Sequence, residues 1–555
     1  MVRHFPKGFT PNVNQKLALE RIDEAFNNGV KFVVVQGPTG CGKSYIAKAV
    51  ANSTSSIPQV LRERINDYSA YSVKWSNGEF DYEYADEFNE KGYGASILTT
   101  TKNLQDQYER DFKDIESLKG KNSYICNLNN RDTADNAPCA VSTNVKRACW
   151  DCKQCDYYEQ RNKSISSKIS IENYSSFFHK PDHLKNREII ICDEASELED
   201  VIVSRFSCIL EHGKLRKHDL SIRYTDNRRV FKERLLDLYE DVKMKYDQAR
   251  KIITTHENNQ KDIVPTVKDS TRQSYKFLGD LKNSLKLVVE TWTQSKYIID
   301  KDVDNGRSCI KLIPRKVDVL AQHLFRYADK VLLLSATFVD YKRYMRSLGV
   351  EQDNYTFIDL PSSFDSKKSP IRLMPLSINR KNIERMFPTV VERINYILNL
   401  HKHDKGMIHT QSNAITNMLY DRITDKRLLY RIKGEASNMD ILEEHVRRKD
   451  PTVLVSPSMS FGVDLKGDLG TFCIVVKTPW PDLGSPRIKA MTEVDGKWYN
   501  NKMFSTLIQQ CGRCTRDVND VSTTYIIDGG HILKLINEQN YRELLPKYFT
   551  DRFRD

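Results

Sequence analysis

The chain has 555 residues, of which 39% are hydrophobic and 29% charged, and 86 Lys and Arg against 74 Asp and Glu leave a formal net charge of +12. That composition excludes a disordered chain, the length exceeds what one hydrophobic core serves, and the positive balance favours a polyanionic partner. No run of about 18 apolar residues occurs, and the opening stretch MVRHFPKGFTPNVNQK has no apolar core for a secretory signal, so neither membrane attachment nor export is expected and a cytoplasmic location is.

Residues 31–36 (KFVVVQ) predict a buried strand and residues 45–52 (YIAKAVAN) a helix. Between them lies Gly37-Pro-Thr39-Gly40-Cys-Gly42-Lys43-Ser44, which fits G-x-x-x-x-G-K-[ST]. Strand, glycine loop and helix together make an anion nest at a helix N-terminus. Lys43 is placed to reach the β- and γ-phosphates of a nucleoside triphosphate and Ser44 to ligate Mg²⁺.

Residues 56–92 read as an insertion, rich in Tyr and acids, where Asn77-Gly78 between β-prone runs predicts a hairpin. Residues 95–101 predict a strand, followed by a helix. Five of the twelve cysteines then crowd into 126–155: Cys126, Cys139, Cys149, Cys152 and Cys155. In a reducing compartment such crowding implies a metal centre rather than disulfides. Four thiolates suit either an iron–sulfur cluster or zinc. The segment is too polar to hold itself together without one.

Residues 189–192 form a short apolar run typical of a parallel strand buried on both faces. It delivers Asp193-Glu194-Ala195-Ser196, an acidic pair at the Walker B position. There Asp193 would hold Mg²⁺ and Glu194 orient the attacking water. Residues 200–325 are charged, glycine-poor and predicted helical, notably 230–245 and 276–292. Residues 331–334 predict another strand, ending in Ser335-Ala336-Thr337. Beyond about 350, strands at 406–410, 452–456, 472–477 and 523–528 alternate with helices, as in a second parallel sheet. Ser460-Phe-Gly-Val-Asp464-Leu-Lys-Gly467 follows one of them. Gln509-x-x-Gly512-Arg513-x-x-Arg516 is read as lying on a helix, with Arg513 and Arg516 on one face and aimed at phosphate charge.

In order, the P-loop, TTTKNLQDQY, DEAS, SAT, SFGVDLKG and QQCGRCTR resemble the motifs of superfamily 2 helicases. More narrowly, residues 118–126 (LKGKNSYIC) and 155–158 (CDYY) resemble the iron–sulfur insertion of the XPD/DinG-like helicases. Phe9, Pro11 and Gln15 resemble that family's element upstream of the P-loop, which contacts adenine. The chain departs from the family in having Ser196 where DEAH or DEAD ends otherwise, and Ser362-Ser363-Phe364 for the usual SPF.

The resemblance implies an α/β fold of two RecA-like motor domains, the first interrupted by an iron–sulfur insertion and a helical arch. Accordingly, residues 1–118, 163–200 and 326–345 are expected to build the first motor domain, 119–162 the iron–sulfur domain, 201–325 the arch and 346–555 the second motor domain. It implies ATP, Mg²⁺ and a [4Fe–4S] cluster as cofactors, with Cys126, Cys139, Cys149 and Cys155 as ligands and Cys152 as the substitute. Asp464, like Gln15, falls to the ATP site, and Gln509, Arg513 and Arg516 join Lys43, Asp193 and Glu194 in hydrolysis. Thr100, Lys102, Tyr124, Tyr157 and Tyr158 are the candidate DNA contacts, the tyrosines as stacking platforms or as packing against the motor. The implied activity is ATP-driven movement along single-stranded DNA, 5′ to 3′, by a monomer that opens forked duplex. The alternatives are a translocase that remodels nucleoprotein without unwinding, an RNA helicase, and a scaffold in which the ATPase is secondary. The compact size and the 56–92 insertion suit a phage-encoded protein.

Overall fold

The computed structural model describes residues 1–59, 74–76, 79–81, 92–128, 130–140, 149, 155–180, 182–258, 269–304, 307–362, 364–431, 438–457, 465–515, 519–538 and 541–554. Two seven-stranded, wholly parallel sheets dominate it. The first runs Tyr355–Asp359, Phe32–Gln36, Ala328–Ser335, Arg187–Cys192, Ala95–Thr99, Ile169–Asn173, Glu116–Leu118. The runs read from sequence as buried on both faces are so placed: Val33, Val34, Val35, Ile190 and Ile191 are all fully buried. One core lies on each side of this sheet. Helices Val13–Asn27 and Lys43–Asn52 supply the first, and helices Leu198–Phe206 and Asp318–Phe325 the second. At about 2 kcal/mol per large apolar side chain removed from water, these layers fix the sheet's position.

The second sheet runs Leu428–Tyr430, Val453–Ser456, Gly406–His409, Phe472–Val475, Thr523–Ile526, Ile371–Leu373, Phe553–Arg554. Its four central strands are those expected from sequence. The three short outer ones carried no readable pattern. Strand Tyr355–Asp359 pairs with Phe32–Gln36, so the first sheet takes its edge from beyond the 345/346 division drawn from sequence.

Two insertions leave the first domain at different places. Residues 119–162 emerge between Glu116–Leu118 and Ile169–Asn173, neighbouring strands at one sheet edge, and close with helix Asp156–Ser166. Residues 201–325 hold two long helices, Arg228–Asn258 and Asp269–Ser295, which pack on each other around Phe231, Leu235, Leu285, Val288 and Trp292. The expectation of a purely helical region is corrected here. An antiparallel sheet, Cys208–Glu211, Arg307–Ile313, Ile298–Asp304, forms its base. Its strands mix charged and apolar residues without clean alternation, so the pattern in the sequence is weak. Strands Lys74–Ser76 and Glu79–Asp81 pair antiparallel, as the Asn-Gly between them predicts. Among the described residues no helix is long and apolar enough to cross a membrane.

Candidate active site and nucleic-acid cleft

The first strand ends at Gln36 and delivers the glycine loop to the N-terminus of helix Lys43–Asn52. Gly40 and Gly42 hold φ of 79° and 81°, the left-handed region that a side chain disfavours. A Cβ on Gly42 would lie 2.2 Å from Gln15 Nε2. Gln15 is fixed by a reciprocal cap with Asn12, and its amide donates to the carbonyls of Cys41 (3.3 Å) and Gly42 (3.4 Å). The upstream element therefore touches the phosphate loop directly, and Phe9 packs edge-on against Tyr45 just behind it. Lys43 Nζ donates to the carbonyls of Gly37 (3.1 Å) and Pro38 (3.4 Å), which places its ammonium inside the loop's concavity.

Asp193 sits at the C-terminal end of strand Arg187–Cys192, almost fully buried. Its Oδ2 accepts from the Tyr108 hydroxyl at 2.9 Å and its Oδ1 from the Glu194 backbone N–H at 3.0 Å. Burial, reinforced by the neighbouring Glu194 charge, pushes the Asp193 carboxyl up to about 6, while Lys43 pulls the other way. Glu194 is a non-glycine residue at φ 50°, and its Oε2 is buried without a hydrogen-bond partner. Backbone strain and an unpartnered buried carboxylate oxygen set Glu194 apart from an ordinary structural glutamate. Burial and then the Glu194 and Asp200 charges raise Glu197 to about 7. Ser335 donates to Ser196 at 2.8 Å, which ties SAT to DEAS.

The second domain meets this constellation chiefly through helix Gly496–Cys511 and the turn that follows it. Gln509 Nε2 reaches Ser196 Oγ at 3.5 Å, and Ser505 Oγ lies 3.3 Å from Thr337 Oγ1. Past the helix end, Thr39 donates to the Thr515 carbonyl at 3.4 Å, and a Cβ on Gly512 would lie 2.9 Å from Thr39 Oγ1. The P-loop therefore faces the chain leaving this helix. The expectation that Arg513 stands on a helical face is corrected. The helix stops at Cys511, capped by Gly512, and Arg513 lies in the turn beyond it, 7% exposed. Its charge acts on Glu197 and on buried His409, which places it beside the acidic pair's segment. Arg516 and Asp464 lie outside the described residues. A cleft of about 380 Å³ runs between the domains here, lined by Thr39, Leu360, Phe364, Gly512, Thr515 and Arg552. Tyr108, Tyr548 and Gln36 were not read from sequence as site residues. Tyr548 donates to the Ala336 carbonyl at 2.6 Å and Gln36 accepts from Phe338 N–H at 2.7 Å, bonds with no local sequence signal.

In the cysteine-rich insertion, Cys126, Cys139, Cys149 and Cys155 all line one small pocket, with Ala134 and Ala137. These are the four ligand candidates expected from sequence, and Cys152 lies outside the described residues. Burial pushes the Cys139 and Cys155 thiols up, and Cys126 adds to both shifts, as close neighbours do. Among the described residues no three His, Cys, Asp or Glu side chains are gathered to hold a metal ion. The thiols surround a shared space instead. Tyr124, Tyr157 and Tyr158 pack edge to face in succession, with ring centroids 5.6 and 5.4 Å apart. Tyr158 is buried against the cysteine pocket, so packing is the role visible for it. Lys102 donates to Ser123 at 2.9 Å and pins the insertion to the TTTKNLQDQY helix, while Thr100 is half-buried just before that helix.

Between this insertion, the first motor domain and the arch helices lies a cleft of about 960 Å³, lined by Lys121, Tyr157, Arg161, Lys180, Arg272 and Lys276 among others. Across it Lys276 Nζ reaches Asp135 at 3.0 Å and Asn136 at 2.8 Å, joining arch and insertion. Six Lys and Arg against Asp132, Asp135 and Asp280 leave these walls net positive, which with the interleaved tyrosines suits a single-stranded polyanion.

Residues 395–552 match the helicase C-terminal domain family. The ATP-dependent DNA helicase YoaA of Haemophilus influenzae is 21% identical over 655 aligned positions, covering 99% of this chain and 95% of the relative. An XPD helicase structure superposes with a TM-score of 0.58 at 14% identity, covering 96% of this chain and 98% of the other. Xpd4 of S. tokodaii gives a TM-score of 0.51 at 14% identity, covering 94% and 97%. At such identities the structural likeness establishes the fold.

Proposed function

We propose that this chain, an XPD/DinG-like superfamily 2 helicase by fold and by the family match of its second motor domain, is an ATP-dependent DNA helicase. The observation that carries this is the two-sided nucleotide site. The P-loop and DEAS of one domain face Gln509, Gly512 and Thr515 of the other across a contact only a few ångströms wide. A nucleotide bound there touches both domains, so its hydrolysis changes how they sit together.

In this reading the loop amides and Lys43 bind the β- and γ-phosphates of ATP, and Gln15 reads the adenine side. Glu194, held in a left-handed turn and unsatisfied, orients the attacking water. Arg513, and Arg516 with it, stabilises the charge that develops on the transferred phosphoryl group. Ser44 and Asp193 are the residues that would hold Mg²⁺, which neutralises phosphate charge when bound. The basic cleft between insertion and arch takes the single strand, moving 5′ to 3′ by the resemblance.

Four soft thiols around one pocket fit a [4Fe–4S] cluster, for which Cys126, Cys139, Cys149 and Cys155 would be the ligands. When bound, such a cluster staples a polar insertion that has only a small core of its own. The proposed setting is a monomer acting in the cytoplasm, that of the host if the chain is phage-encoded.

The test is strand displacement on a forked DNA duplex with a 5′ tail, against a 3′ tail and an RNA fork, with ATP and Mg²⁺. Unwinding of the 5′-tailed DNA fork that Lys43→Ala abolishes is expected. ATP hydrolysis stimulated by single-stranded DNA without displacement of any fork would overturn unwinding and leave a translocase. RNA-only stimulation would overturn the DNA assignment.

A further inference from the structure

Helix Gly496–Cys511 presents Trp498, Lys502, Ser505 and Gln509 at spacings of four, three and four residues, which is one helical face. All four touch the first motor domain. They hold nucleotide-site motifs or their continuation: Ser505 meets Thr337, Gln509 meets Ser196, and Trp498 and Lys502 meet Glu199.

Glu199 lies in the first turn of the helix that continues from DEAS, three residues past Ser196, and it is 4% exposed. Its carboxylate accepts from Arg487 Nη2 at 2.6 Å and from the Trp498 indole N–H at 3.2 and 3.1 Å, with Lys502 Nζ at 3.5 Å. Arg487 also donates to the carbonyls of Pro314 at 3.0 Å and Arg315 at 3.4 Å, where the arch returns to the first domain. One buried carboxylate thus gathers the first motor domain, the second motor domain and the base of the arch. Nothing in the proposed chemistry uses these groups, yet a buried anion is retained at cost unless its partners give it a role.

The geometry points to Glu199 as a positioning residue for ATP hydrolysis, one that sets the register of helix Gly496–Cys511 on the DEAS segment and so the placement of Gln509 and Arg513 opposite the P-loop. The inference rests on the proposed function. Glu199 is not among the groups proposed to bind the nucleotide or the attacking water. It acts along a rigid path: two and a half turns of helix from Lys502 to Cys511, then Gly512 against Thr39. A misplacement of about 1 Å at a catalytic group costs on the order of 100-fold in rate. Ground-state binding is affected far less, because the P-loop, Lys43 and Gln15 all belong to the first domain.

The test is steady-state ATP hydrolysis by the full chain with saturating single-stranded DNA. Glu199→Gln keeps the shape and one acceptor but removes the charge. It is expected to lower kcat about ten-fold or more with KM for ATP within about two-fold, since only transition-state contacts move. Glu199→Asp, which restores the charge, should recover part of kcat. Ser204→Ala, exposed on the same helix and away from this cluster, should leave both constants unchanged. A kcat within about two-fold of wild type for Glu199→Gln, or a rise in KM at unchanged kcat, overturns the inference. Should Glu199→Gln fail to fold by thermal melting, Trp498→Phe removes one donor and keeps the ring, and the same split decides the matter. A wild-type chain that hydrolyses no ATP overturns the proposed function itself. Normal wild-type turnover with an indifferent Glu199→Gln overturns this inference alone.

Discussion

Replacing Arg487 with Met should separate what the junction between the motor domains contributes to stability from what it contributes to turnover. Burial by itself pushes the Glu199 carboxyl up, but the Lys502 and Arg487 charges outweigh it and hold it at about 2, against an ordinary 4.5. At about 1.4 kcal/mol per pH unit, that displacement is worth roughly 3 kcal/mol in the charged state. Arg487 makes the closest contact and also carries the bonds to Pro314 and Arg315, so Met leaves Glu199 with Lys502 and the indole alone. That displacement is shared with Lys502, so the part of it lost with Arg487 is about 1–2 kcal/mol, and the two carbonyl bonds bring the expected loss to about 3 kcal/mol. Lys502→Met, at a longer 3.5 Å, should cost about 1–2 kcal/mol. Asp200→Asn, whose ion pair leaves Asp200 60% exposed, should cost less than about 0.5 kcal/mol. Urea unfolding followed by circular dichroism at pH 7 ranks the three. The pH dependence has a definite sign. Because the folded value lies below the unfolded one, the stabilisation is present above pH 4.5 and is lost as pH falls toward 2. Wild type and Arg487→Met should therefore differ by a constant amount from pH 5 to 8 and converge below 4.5. An Arg487→Met protein within about 0.5 kcal/mol of wild type at pH 7, or a gap that widens on acidification, refutes the reasoning.

Gly42→Ala should raise KM for ATP about ten-fold or more, because a Cβ there meets Gln15 Nε2 at 2.2 Å in a left-handed turn. Steady-state ATP hydrolysis measures this directly, and an unchanged KM would remove Gln15 from the site. Ser196→Ala deletes the hydroxyl shared by Ser335 and Gln509 and should lower unwinding more than ATP hydrolysis, whereas equal loss would indicate a simple catalytic defect. Single Cys→Ser changes at 126, 139, 149 and 155 should each lose iron and labile sulfide while ATP binding persists. Cys152→Ser should retain both, and zinc without sulfide in the wild type would overturn the cluster.

The P-loop could be read without a structure because its requirements are local. A run of buried apolar residues, glycines at forced left-handed φ and a helix start lie within about twenty residues, and each leaves a mark on composition. The same holds for the central strands of both sheets, whose two buried faces demand unbroken apolar runs. The cysteines behaved similarly, since a polar stretch offers thiols no apolar core to fill and their crowding there suits a shared metal centre. The outer strands, such as Ile371–Leu373 and Leu428–Tyr430, escaped notice because three residues leave no period to read. The sheet at the arch base escaped because Cys208–Glu211 lies almost a hundred residues from its partner strand and the charged faces resemble helix surface, although the Asn305-Gly306 between the other two strands is a hairpin signal of the kind read at 77–78.

Residue types and their order along the chain were sufficient for the fold class and for where the glycine loop, the acidic pair and the crowded cysteines fall, while the choice of four ligands among five cysteines came from the resemblance. Only the tertiary structure decided where Arg513 stands, since Gly512 ends the helix that would have put it on a common face with Arg516. It alone joined Tyr108 to Asp193, and Glu199 to Arg487 and Trp498 nearly three hundred residues away. Such contacts follow from how two separately built sheets dock. A glutamate destined for a buried ion cluster looks, in sequence, like any glutamate on a helix surface, because desolvation and partner charge belong to the assembled interface and not to the segment.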